Sequence, residues 1–188
     1  MEKILVSACL LGQRVRYDGG GFDPLQQLLD WQAQGRLVVV CPEVAGGLPT
    51  PRAPAEIPGG QGALVLNGER PVRTDQGEDV TQAFVRGAEQ AVALVRQHGI
   101  RYALLKARSP SCGNVENYDG SFSGVRVSGE GVTAAALRQV GVRVLMKSRS
   151  LSWRPCSELA AVQRRGCKAW RRQASSSAGI RCADTPLA

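Results

Sequence analysis

Three cysteines of this chain stand where apolar runs give out. Cys9 follows Ile4-Leu5-Val6-Ser7-Ala8, Cys41 follows Leu37-Val38-Val39-Val40, and Cys112 follows Tyr102-Ala103-Leu104-Leu105 after a short loop. In an open parallel sheet the carboxyl ends of the strands converge on one crevice, which is where ligands bind. Thiols far apart in sequence can therefore meet at one point. Three thiolates there repel each other and require a cation. Zinc usually takes a fourth ligand, whereas iron–sulfur clusters are held by cysteine thiolates. A 4Fe-4S cluster on only three of them keeps one iron open as a Lewis acid. Taken singly, Cys9 reads as an ordinary buried cysteine. Spacings of 32 and 71 residues match no zinc ribbon. The weight rests on the placement of the three at strand ends.

Their neighbours differ from core sequence. Cys41-Pro42-Glu43-Val44-Ala45-Gly46-Gly47-Leu48-Pro49-Thr50-Pro51-Arg52 describes a shaped loop directly after a buried strand. Glu43, two residues from a thiol, is a candidate general acid/base with a carboxyl group near an apolar wall; the alternative is a glutamate that caps a loop amide. Ser109 and Ser111 flank Pro110 just before Cys112 and can donate to an oxygen or a sulfur, or simply form the turn. Arg14-Val15-Arg16-Tyr17-Asp18-Gly19-Gly20 has an echo in Asn117-Tyr118-Asp119-Gly120. Both Tyr-Asp-Gly units read first as turns, and both follow a strand-end cysteine closely enough to overhang the same crevice. Arg14 or Arg16 could hold an anionic or carbonyl-bearing substrate; Arg52 and Lys106 are further candidates. His98 is the sole histidine, at the end of a helix, where it complements the dipole rather than doing chemistry.

The elements that must position these residues alternate strand with helix, which argues for a single α/β domain with a small, mostly parallel sheet flanked by helices, Rossmann-like in build. Strands are expected at Lys3–Ala8, Leu37–Val40, Tyr102–Lys106 and Val142–Leu145. Phe84, Ala88, Ala91, Val92 and Val95 recur at helical spacing over 81–98, with Asp79 or Thr81 as cap and Gly99 as stop. Further helices are expected at 24–34, ending at Gly35, and at 133–140, ending at Gly141. Between Gly46 and Gly77 the prolines argue against a helix. There Ala63–Leu66, Asn67-Gly68 and Pro71–Arg73 read as a small hairpin beside the crevice.

The 188 residues carry a net charge of +8. Of this, +5 falls in the 38 residues from Leu151 onward, so the basic character belongs mostly to the tail and says little about the partners of the body. No apolar run approaches the ~18 residues of a membrane span, and the first residues lack the marks of a signal peptide. A cytoplasmic location in a reducing compartment is expected, where clustered cysteines bind metal or catalyse more often than they pair. Two regions are expected: 1–150 as the functional domain, and 151–188 as an irregular, basic C-terminal extension with Cys156, Cys167 and Cys182. A helix over 157–173 is one option for the extension, and binding to nucleic acid is another.

The runs Val6–Gly12, Arg16–Gly20, Cys41–Arg52, Ser109–Gly113 and Asp119–Gly124, in that order, resemble the thiouracil desulfidase family. The resemblance spans Lys3 to Leu145 and leaves the tail outside. It implies an oxygen-sensitive 4Fe-4S cluster on Cys9, Cys41 and Cys112. It also implies an enzyme that removes sulfur from a thiolated uracil without redox chemistry, giving uracil and sulfide. The family's acid/base glutamate falls on Glu43, and its serine within Ser109-Pro110-Ser111, with Ser109 preferred. Arg16, Tyr17, Asp18 and Arg52 are the expected substrate-binding residues. Free base, nucleotide and thiolated RNA remain open as substrates, as does the oligomeric state.

Two other classes compete with this reading. One is a zinc hydrolase on three cysteines, although the body lacks the His-x-Glu and Cys-x-x-Cys elements of zinc deaminases. The other is an RNA-binding module that uses the basic tail, with structural cysteines; its affinity would depend steeply on salt.

Overall fold

The computed structural model describes residues Met1–Lys147. The expectations for 151–188, including Cys156, Cys167, Cys182 and the helix over 157–173, lie outside the described residues.

Four parallel strands form the core sheet. In chain order the elements are β1 (Ile4–Ser7), α1 (Gln26–Ala33), β2 (Leu37–Val40), α2 (Pro42–Ala45), β3 (Ala55–Glu56), α3 (Gly62–Leu66), β4 (Arg73–Thr74), α4 (Thr81–His98), β5 (Tyr102–Lys106), β6 (Glu116–Tyr118), β7 (Arg126–Ser128), α5 (Val132–Gln139) and β8 (Arg143–Lys147). The sheet order is β2-β1-β5-β8, and all three pairings are parallel. The two central strands are apolar at nearly every position: β1 is buried throughout, and β5 is buried except at Lys106. Continuous apolar runs of this kind mark parallel strands covered on both faces. The chain leaves β1 for β2 on one side and later returns to β5 on the other. The winding therefore reverses beside β1, and a reversal of strand order opens a crevice at the carboxyl ends. The register sets the rim of that crevice, because Ser7 lies opposite Val40 and Val6 opposite Leu104.

Helix α4 buries Phe84, Ala88, Ala91 and Val95, spaced three to four apart as an amphipathic helix requires. The Asp79 carboxylate accepts the Thr81 N–H at 2.9 Å and closes the start of the helix. Gly99, at φ 61°, ends it. Helix α5 packs on α4 and α3, and α2 packs on α4. The contact between α2 and α4 is backbone against backbone. A Cβ on Gly87 would stand 2.0 Å from the Pro42 carbonyl oxygen, and one on Gly46 would stand 1.9 Å from the Ala83 oxygen. The two glycines thus set α2, and the residues it carries, directly against α4. No helix among the described residues is long and apolar enough to cross a membrane.

One local expectation is overturned. Ala63–Leu66 is not a hairpin strand but most of helix α3, which Asn67 ends by donating its N–H to the Ala63 carbonyl, followed by Gly68 at φ 77°. Asn-Gly stops a helix as readily as it turns a hairpin, and burial of Val65 decides for the helix. The antiparallel pair in this region is instead β3 with β4, which forms the crevice wall expected of the segment. The flanking helices and the last strand shift by one or two residues, with α1 beginning at Gln26, α5 at Val132 and β8 at Arg143.

Candidate functional site

Each cysteine comes to the crevice on a different local device. Cys9 sits in a single 3-10 turn, Ala8–Leu11, which ends at Gly12 with φ 84°. Cys41 is the residue from which α2 starts, with Pro42 in the first turn, where its fixed φ is already helical. Cys112 closes a turn held by Ser109, whose hydroxyl oxygen accepts the Ser111 and Cys112 N–H groups, both at 3.2 Å. All three thiols line one cavity of about 730 Å³ at the carboxyl ends of β1, β2 and β5. Cys9 and Cys112 are buried, Cys41 half-buried, and all three are free thiols. Burial pushes the Cys9 thiol up to about 11, and the neighbouring Cys41 adds to the rise. Burial pushes Cys112 up to about 12 and also raises Cys41. Such groups ionise at neutral pH only when a cation joins them.

The donor set fits a polynuclear centre better than a single ion. Among the described residues no group of three His, Cys, Asp or Glu side chains closes as the ligands of one metal ion do. The three thiols instead surround a broad cavity, without the fourth ligand usual for zinc. Three soft sulfur donors around such a space suit a 4Fe-4S cluster with one corner free.

Glu43 stands beside the thiols on the first turn of α2. Its Oε2 accepts Nε and Nη2 of Arg52 at 2.9 and 2.6 Å, and its Oε1 accepts the Ser109 hydroxyl at 3.3 Å. Ser109 Oγ therefore takes two backbone donors and directs its proton to Glu43. Ser111 lies elsewhere: it is 1% exposed, shares a 2.9 Å hydrogen bond with the Thr133 hydroxyl, and does not line the cavity.

The expected substrate-binding residues divide. Arg52 lines the cavity, yet all five of its guanidinium N–H groups face protein acceptors. Besides Glu43 these are the Pro49 carbonyl, the Thr50 hydroxyl and the Val15 carbonyl. Val15 O also faces the Cys41 thiol at 3.7 Å. Arg52 thus ties the β1 loop, α2 and the loop through the cis Thr50-Pro51 bond into one unit. Arg16 and Tyr17 line the cavity. Arg16 is ion-paired with Asp18 at 2.8 Å and lies over the Phe22 ring. Asp18 is outside the lining and accepts the Gly20 N–H within its own turn. Tyr118 of the second Tyr-Asp-Gly turn lines the same cavity, with Phe122 and Gly124 from the segment just after it. Arg14 is exposed and His98 stays at the far end of α4; neither lines the cavity.

Ser7 escapes a reading of motifs. Its hydroxyl accepts the Lys106 N–H at 3.1 Å and donates to Cys112 Sγ at 3.5 Å. The one trace of it in the sequence is a polar residue closing an otherwise apolar buried strand.

Fold and crevice together define a parallel α/β protein whose sheet-end cavity gathers three thiols, a carboxylate and a serine. The 2-thiouracil desulfurase family matches residues 4–149, and the chain belongs to that family. It is 44% identical over 147 residues to the uncharacterized protein YbbK of Bacillus subtilis (strain 168), covering 77% of this chain and 95% of that protein. It is also similar to a solved structure, the [4Fe-4S]-dependent thiouracil desulfidase TudS. That match has 48% identity and a TM-score of 0.73, and covers 87% of this chain and 99% of that one.

Proposed function

We propose that this protein is a 4Fe-4S-dependent desulfidase that removes sulfur from a thiolated uracil, with 2-thiouracil as the first substrate to test. The observation that carries the proposal is the meeting of three strand-end thiols with a carboxylate whose two oxygens have separate partners. Cys9, Cys41 and Cys112 hold the cluster. When bound, it would supply a Lewis-acidic iron that polarises the thiocarbonyl, with no external electron donor.

The chain's own residues handle water and protons. Glu43 takes a proton from the water that adds to the thiocarbonyl carbon. Arg52 occupies Oε2 with two donors, whereas Oε1 has only the Ser109 hydroxyl and keeps a lone pair for that proton. Ser109, fixed by two backbone N–H groups, orients the carboxylate through Oε1. A C–O bond forms, the C–S bond breaks, and the products are uracil and sulfide, so no electrons are exchanged overall. Leu48, Pro49 and Phe84 in the lining give the planar base an apolar bed. Residues 1–150 suffice for the chemistry, and the three free thiols suit a reducing cytosol.

The test is purification without oxygen, reconstitution with iron and sulfide, and addition of 2-thiouracil. A brown protein with about four irons per chain that releases uracil and sulfide meets the expectation, and Cys→Ala at 9, 41 or 112 then lowers the iron content. A colourless protein that releases no sulfide after reconstitution overturns it.

A further inference from the structure

Four cations line the cavity: Arg16, Arg52, Lys106 and Arg108. Three are neutralised by carboxylates, Arg16 by Asp18, Arg52 by Glu43 and Arg108 by Glu116. Lys106 has no carboxylate partner among the described residues. Its ammonium makes one hydrogen bond, to the Arg108 carbonyl at 2.8 Å. An ammonium has three N–H donors, so two remain. Its charge interacts with Cys112, Arg16, Cys9 and Glu43, and all four line the same cavity as the lysine. Strand β5 holds it there, because the Lys106 backbone N–H is bound by Ser7. A part-buried charge with unused donors calls for an acceptor from outside the protein.

A thiolated uracil brings such an acceptor. One ring position carries the sulfur that leaves, and the second carbonyl oxygen is unchanged in the reaction. We propose that Lys106 binds this unreacting carbonyl oxygen and so turns the thiocarbonyl toward the thiols and Glu43. The proposal rests on the desulfidase reading above. It transfers the substrate-binding role from Arg52, whose donors are all engaged, to Lys106. A point charge with rotatable donors suits a single carbonyl oxygen, whereas the planar fork of arginine suits a carboxylate.

The test uses reconstituted holoenzyme and two unreactive ligands, uracil and 2-pyrimidinone, which lacks the C4 carbonyl. Calorimetric titration of wild type and Lys106→Met gives a four-way cycle. Wild type is expected to prefer uracil by about tenfold to a hundredfold, the range of a hydrogen bond to a charged group. Lys106→Met is expected to keep its iron, lose that preference and raise KM for 2-thiouracil by a similar factor, and Lys106→Arg to recover part of it. Unchanged preference in Lys106→Met overturns the proposal. Iron loss in Lys106→Met that Lys106→Arg prevents also overturns it, because the lysine would then serve the cluster. Failure of the desulfidase reading shows separately, as wild-type holoenzyme that neither binds uracil nor releases sulfide.

Discussion

Gly87→Ala adds a single methyl group at a residue outside the cavity lining, yet it should disable the site. The new Cβ would stand 2.0 Å from the Pro42 oxygen and 2.7 Å from the Pro42 carbonyl carbon, both backbone atoms. Ordinary contact begins at 3.4 Å, so α2 must retreat by about 1.4 Å. Pro42 lies between Cys41 and Glu43, and both must follow. In stability the change is modest: alanine gains about 1 kcal/mol over glycine inside a helix, and overpacking costs about 1–3 kcal/mol. The net loss of at most about 2 kcal/mol lowers Tm by a few degrees in a domain of this size. In function the change is large, since a 1 Å misplacement of a catalytic group costs on the order of 100-fold. The assay is Tm of the apoprotein beside iron per chain and kcat of the reconstituted enzyme. We expect kcat to fall by about 100-fold, or iron retention to fail, while the protein stays folded. Wild-type iron content with kcat within twofold of wild type would refute the claim that the contact of α2 with α4 sets the site.

Arg52→Lys keeps the charge but has too few donors for the five bonds of Arg52. The Val15, Glu43 and Pro49 segments then lose their common tie. The expected result is a kcat at least about tenfold lower with little change in KM, as for a residue that positions Glu43 rather than binding substrate; steady-state kinetics checks this, and a selective rise in KM would contradict it. Ser109→Ala removes the partner of Glu43 Oε1 and should lower kcat by about 100-fold with iron retained. Ser111→Ala strands the Thr133 hydroxyl, costs about 1–2 kcal/mol read as a lower Tm, and leaves kcat close to wild type.

Most of this architecture was legible because parallel strands announce themselves. The runs around Val6, Val39 and Leu104 are apolar at nearly every position, helix α4 has a cap, a stripe and a stop, and the strand ends place the three thiols on one rim once the order β2-β1-β5 is set. The region around Val65 was misread because Ala-Leu-Val-Leu fits a strand or a buried helical turn equally well. Only burial against the rest of the fold decides between them. Gly46 reads as part of a shaped loop whose backbone comes close to something, but nothing in the sequence says that its counterpart is the backbone of α4 at Ala83 and Gly87.

The assignment of cations exposes a deeper limit. On charge and neighbourhood Arg14, Arg16, Arg52 and Lys106 are all candidate substrate ligands, and the sequence reading favours Arg16 and Arg52. What separates them is whether their donors are already committed, a property of side chains that converge from distant loops. Arg52 depends on carbonyls at Val15 and Pro49 and on the rotamer of Glu43, none of which its own motif specifies. Lys106 remains uncompensated because no carboxylate among the described residues pairs with it. A residue's type can therefore say that it is able to bind a carbonyl, while the three-dimensional count of acceptors decides whether it is free to do so. By that count the arginine holds the machinery together and the lysine faces the substrate.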